Sequence, residues 1–235
     1  MRKYGCFTVG VLAIVLVGWT VCSHALELIP LKSGFTWETD VSGPCSFDIG
    51  SDGTAVNLSA QGTESEVSEI DVAITGTSKI VGMWATVHVD QAVNNAVGTN
   101  ILADSVYIGI KQYVGRVGNE KIRLSITLNQ YNDQRSIWYQ VRGYHVTTNA
   151  VREIAQGTIG AVSGRWNPGD SLTMAFVRVG SEFWFYVNGV PELLKIQAIG
   201  EVTGYYGQPN IFARAGKGTN SLVAGSVSNI YLIKE

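Results

Sequence analysis

The chain has 235 residues, 17 Lys and Arg against 19 Asp and Glu, and a formal net charge of −2. No basic block or stripe interrupts that balance, which argues against a nucleic-acid partner. After Ala25 the histidines are His88 and His145 and the cysteine is Cys45. Neither histidine has the spacing of a metal ligand, and a lone cysteine makes no internal disulfide, so Cys45 reads as a small buried residue and the fold must be held by burial with no metal or cofactor.

The N-terminus reads as an export signal over residues 1–25. Arg2 and Lys3 precede the apolar run Phe7 to Val17, and Ser23-His24-Ala25 puts small residues where a signal peptidase reads. An uncleaved anchor, or a lipid on Cys22, are the other readings of this segment. The expected destination is outside the cell or the periplasm. No apolar run long enough to cross a membrane follows. Removal of the signal leaves roughly 210 residues, a common length for one large β domain, here 26–235.

Short alternating segments then follow one another between Gly and Asn turns, the pattern of an all-β sandwich. Asp48 to Gly53 reads as a tight turn before a strand at Thr54 to Ser59. In Glu69 to Thr75, Ile70, Val72 and Ile74 point one way and Glu69, Asp71 and Ala73 the other. In Lys79 to Asp90, Val81, Met83, Ala85, Val87 and Val89 form the more apolar face, opposite Trp84, Thr86 and His88. Val106, Ile108 and Ile110 share a face, as do Ile122, Leu124, Ile126 and Leu128. A period of two with one apolar row marks a half-buried strand. A hairpin spans Leu172 to Gly189: Leu172, Met174 and Phe176 lead into the turn Gly180-Ser181, and Phe183, Phe185 and Val187 return. Ile196 to Ile199 offers a helical turn at most, and Val227 to Ile233 is a closing strand.

The run Ser171 to Gly189, with its aromatic returning strand Phe-Trp-Phe-Tyr-Val-Asn-Gly, resembles a hairpin of concanavalin A-like lectin and glucanase domains. Tyr107 to Tyr113, Lys121 to Leu128 and Ile137 to Tyr144 resemble the central meander of that superfamily, and Gly225 to Leu232 its closing strand. The resemblance, which covers most of residues 35–235, implies a two-sheet antiparallel jelly-roll sandwich. That fold hosts lectins, glycosidases and laminin-G-like adhesive modules, and does not choose among them.

Glu69-Ile-Asp-Val-Ala73 is similar to the E-I-D-x-E strand of β-glucanases of this fold, in which the first Glu is the nucleophile, the Asp tunes it and the last Glu is the acid/base. Residues 69, 71 and 73 share a strand face, but Ala73 stands where the proton donor is required. Loss of general-acid assistance typically forfeits about 10²–10⁴ in rate. Glu69 and Asp71 are therefore catalytic candidates only for a degenerate hydrolase. Gly216-Lys-Gly-Thr219 lacks the earlier glycine of a phosphate loop and reads as an ordinary loop.

Sugar sites combine flat rings, which lie on pyranose C–H faces, with groups that bond hydroxyls. The outward row of the meander supplies both: Tyr107, Arg123, Trp138, Gln140, Arg142 and Tyr144 are the candidate ligand-binding set, with Lys111, Ser125 and Thr127 between them. Trp184 and Tyr186 of the late hairpin extend the same platform. Trp166 is either a ligand-contacting loop tip or a cover over one end of the sandwich. The expected partner is a glycan or polysaccharide, bound without catalysis. A hydrolase and a structural domain with a protein partner stand as alternatives, and the oligomeric state is left open.

Overall fold

The computed structural model describes residues 26–31, 35–95, 104–160, 165–190, 193–204, 206–218 and 220–235. The expected export signal lies outside them. The described chain forms two open antiparallel sheets packed face to face as a jelly-roll sandwich. The larger runs β13 (Leu194–Gln197), β12 (Glu182–Val187), β11 (Ser171–Val179), β6 (Ile80–Val93), β15 (Leu222–Lys234), β4 (Val56–Gln61) and β3 (Cys45–Ile49), and β1 (Glu27–Pro30) pairs with the end of β15. The second runs β10 (Val151–Thr158), β9 (Gln134–His145), β8 (Glu120–Tyr131), β7 (Val106–Val117), β14 (Asn210–Ala215), β5 (Ser68–Thr75) and β2 (Thr36–Ser42).

The apolar rows anticipated from alternation meet between these sheets. Ile70, Val72, Ile74, Ile108, Ile110, Ile122, Leu124, Ile126 and Leu128 of the second sheet are fully buried against Met83, Phe176, Phe183, Phe185 and Leu232 of the first. Tyr139 and Phe185 touch across the layer, with ring centroids 5.3 Å apart. Tight turns make the meander β7–β8–β9 possible. Gly118 and Asn132, at φ of 55° and 52°, occupy the left-handed conformation that such turns demand.

Four expectations need correction. Val81 does not join the inner row. The register slips between Gly82 and Ile80 against β15, Val81 is the extra residue, and it joins the outer cluster while Ile80 enters the core. A bulge of this kind inverts the faces beyond it. Residues 194–197 form β13, a strand added to the edge of β12, instead of a helical turn. Cys45, expected as a small buried residue, is half-buried on the edge strand β3. Trp184 and Tyr186 alternate with the inward Phe183 and Phe185 of the first sheet, so they face away from the meander platform. They pack with Trp84, Val177 and Ile233 in a second apolar cluster on the opposite side of the molecule. The turn anticipated at Asp48 to Gly53 holds: Asp52 Oδ1 accepts a hydrogen bond from the Thr54 amide at 3.0 Å and Gly53 N donates to Gly50 O.

Substitution at Phe185, fully buried at the centre of the core, tests the sandwich. Phe185→Ala should cost about 3–5 kcal/mol, read as a lower urea midpoint. Gly109, in the centre of the second sheet, admits no side chain: a Cβ there would stand 2.2 Å from Ile126 O and 2.8 Å from Thr127 Cα. Gly109→Ala should therefore destabilise by about 1–3 kcal/mol despite its better strand propensity, whereas an unchanged midpoint would mean that β7 and β8 are not held at this register.

Candidate functional site

The outward face of the second sheet is ordered by its register into rows that cross the strands. One row reads Glu69, Arg214, Tyr107, Asn129 and Ser136 over β5, β14, β7, β8 and β9. The next reads Asp71, Phe212, Gly109, Thr127 and Trp138. A third holds Ala73, Asn210, Lys111, Ser125 and Gln140, and a fourth Tyr113, Arg123 and Arg142. In the second row the side-chain-free Gly109 and the small Thr127 lie low between Phe212 and Trp138. Three strand spacings separate those rings, about 14 Å at ~4.8 Å each. The result is a groove of about 460 Å³.

All six residues of the candidate set, Tyr107, Arg123, Trp138, Gln140, Arg142 and Tyr144, line this groove. Glu69 lines it as well, with Phe212 and Arg214. Those last two were missed because β14 lies between β5 and β7 in space but far from both in sequence. The available signal was the alternation Ile211-Phe-Ala-Arg-Ala215, whose apolar Ile211, Ala213 and Ala215 are fully buried. Trp166 is 1% exposed and its Nε1 donates to Ser136 O at 3.0 Å, so it covers one end of the sandwich.

The groove floor is a charge network. Lys111 Nζ lies 2.5 and 2.7 Å from the two carboxylate oxygens of Asp71 and 3.5 Å from Glu69 Oε1. It also sits 4.4 Å from the centroid of the Phe212 ring. Arg214 Nη1 reaches Glu69 Oε2 at 3.5 Å and donates to the Tyr107 hydroxyl at 3.3 Å. Burial pushes the Asp71 carboxyl above the usual carboxylate range, against the opposing pull of Lys111. Burial likewise pushes the Tyr107 hydroxyl up to about 12, Arg214 opposing. Tyr107 thus keeps its proton at any physiological pH and remains a hydrogen-bond donor. Further along, Arg142 Nε donates to Glu153 Oε2 at 2.7 Å, and the Arg123 guanidinium lies 4.7 Å from the Tyr144 ring centroid.

Buried donors in this groove stand unbonded. Trp138 Nε1 and Arg123 Nε are both buried without a hydrogen-bond partner. An unmet buried donor costs about 1–3 kcal/mol, which a ligand acceptor would recover. Glu69 and Asp71 share the groove face with Ala73, and across the ladder from Ala73 stand Asn210 and the exposed Glu38. Among the described residues, no group of three or more His, Cys, Asp or Glu is arranged to hold a metal ion.

No family model and no curated protein matches the chain. Similar solved structures include the lumenal domain of VIP36 in its Ca²⁺/Man3GlcNAc-bound form, at 15% identity over 85% of this chain and 84% of that one, with a TM-score of 0.47. The catalytic domain of an endo-1,3-β-glucanase (laminarinase) from Thermotoga petrophila is 11% identical over 86% of this chain and 99% of its own, with a TM-score of 0.47. A legume lectin-like domain from Entamoeba histolytica is 10% identical over 84% and 90%, again with a TM-score of 0.47.

Proposed function

We propose that the chain is an exported, noncatalytic carbohydrate-binding or adhesive module whose ligand occupies the groove on the second sheet. The observation that carries this reading is the convergence of Tyr107, Trp138 and Tyr144 with Arg123, Gln140 and Arg142 on one depression, where the donors Trp138 Nε1 and Arg123 Nε are buried and unbonded. Rings offer flat contact to the C–H faces of a pyranose, and the amide, hydroxyl and guanidinium groups suit its oxygens. The leader in residues 1–25 supports export, and no described helix is long and apolar enough to cross a membrane. Ala73 at the acid/base position supports a binding role over hydrolysis.

A glycan array probed with the chain lacking residues 1–25 should give saturable binding. Trp138→Ala should weaken every hit by about tenfold or more, while thermal unfolding stays cooperative. Hits that survive Trp138→Ala at full strength would move the site elsewhere. Reducing-sugar assays on β-1,3-glucan should show no turnover. Turnover that disappears in Glu69→Gln would replace binding by hydrolysis, and silence in both assays would favour a protein partner.

A further inference from the structure

The groove does not end at Trp138. A second cavity, of about 510 Å³, shares Trp138 and Asn129 with the first and continues past the β8–β9 turn to the loop carrying Arg165 and Asn167. From Arg123 to Tyr131, which lines the far cavity, β8 advances eight residues, or about 27 Å at ~3.4 Å per residue. The joined trough is therefore far longer than a single sugar ring.

Its charge departs from that of the chain. The protein as a whole carries −2, yet six cations, Lys111, Arg123, Arg135, Arg142, Arg165 and Arg214, line the two cavities against two acids, Glu69 and Asp133. Half of those cations are already engaged: Lys111 by Asp71 and Glu69, Arg142 by Glu153, Arg214 by Glu69. The other half are not. Among the described residues, Arg123 has no carboxylate within ion-pair reach, and its guanidinium lies over Tyr144 with Nε buried and unbonded. Arg135 donates to the neutral amide oxygen of Gln130 and lies 5.6 Å from the Trp166 ring centroid. Arg165 is exposed at the far end. Three guanidinium groups with no acid partner, spread along a trough floored by rings and amides, match a ligand with anionic groups repeated along its length. Arginine suits this task because its planar fork bonds a carboxylate or sulfate through two N–H groups at once.

We infer that the ligand is an extended acidic polysaccharide, bearing carboxylate or sulfate groups, that lies along both cavities across Trp138. This rests on the carbohydrate-binding reading above and names its substrate class. Arg123 holds one acidic group in the meander groove and Arg135 with Arg165 another beyond the turn, while Trp138 supports the sugar rings between them.

The test is isothermal titration of the chain lacking residues 1–25 with polygalacturonate and its carboxyl-reduced form, and with dextran sulfate and dextran. The acidic member of at least one pair should bind at least about tenfold more tightly than its neutral counterpart, and which pair does so distinguishes carboxylate from sulfate. That binding should weaken roughly tenfold or more between about 50 mM and 200 mM salt. Arg123→Gln and Arg165→Gln should each weaken it at least about fivefold. The exposed Lys79→Gln and Lys217→Gln, outside both cavities and with the same change of charge, should leave it unaltered. Arg165 is exposed, so its variant reports on binding even if Arg123→Gln unfolds. Equal binding of acidic and neutral members would overturn the inference and leave the carbohydrate reading standing. Equal effects of the lysine and arginine variants would reduce it to unspecific attraction. Absence of binding to all four polymers and to every neutral glycan of the array would remove both.

Discussion

The groove depends on the burial of the opposite face of the same strands. Ile108, Ile110, Ile122, Leu124, Ile126 and Leu128 lie fully buried between the sheets, each worth about 1.5–3 kcal/mol relative to exposure. In a strand those residues alternate with the groove residues one by one. A slip of one position would bury Arg123 and Trp138 and expose the isoleucines, so the apolar row fixes the polar row. The site is thus positioned by the core beneath it, on strands rather than on loops. Gly109 belongs to the same constraint. The close approach of β7 to β8 that excludes a Cβ there also keeps the floor low between Phe212 and Trp138.

Charge at the floor follows from that placement. Asp71 is held among strands where its ionised form is poorly solvated, and burial raises its pKa. Lys111, its neighbour two strands away in the sheet order, supplies the compensating charge at 2.5 Å. The lysine is consequently occupied, as is Arg214 by Glu69 and Tyr107. A carboxylate pinned in this way is a structural counter-ion, and Glu69 beside it is pulled on by two cations. The pair that resembles a catalytic strand thus takes part in the charge network of the floor, while Arg123 and Arg135 further along have no carboxylate partner among the described residues.

Legibility in the sequence followed the range of the interactions. Alternation is local, so the meander and the late hairpin, with their inward and outward rows, could be read directly from residues such as Ile122 to Asn129 and Phe183 to Val187. The six candidate ligand residues lie on β7, β8 and β9, joined by tight turns, and adjacency in sequence predicted adjacency in space. What was not legible required long-range pairing. Nothing local says that Phe212 and Arg214 return between β5 and β7. Nor does alternation say which sheet a strand joins, so Trp184 and Tyr186 were assigned to the groove although they cover the outer face of the other sheet. Val81 was misplaced because a single extra residue inverts parity, and the slip is visible only against β15.

The two aromatic faces of the sandwich show why ring content alone is a poor guide to function. On the outer face of the first sheet the needs of the rings are met from within. Trp84 and Tyr186 stack at 5.1 Å and 14°. Trp184 Nε1 donates to Glu182 at 3.2 Å while Lys195 Nζ, paired with the same carboxylate, lies over its ring. Trp166 is satisfied in the same sense by Ser136 O. Such contacts are what cross-strand packing asks for, worth about 0.2–1 kcal/mol per pair, and they leave nothing for a ligand to complete. Trp138 differs in one respect: its N–H is buried and has no acceptor. A desolvated donor without a partner is unfavourable in the free protein and favours whatever brings an acceptor to it. That imbalance, with Arg123 Nε likewise buried and unbonded two rows away, sets Trp138 apart from Trp166 and Trp184.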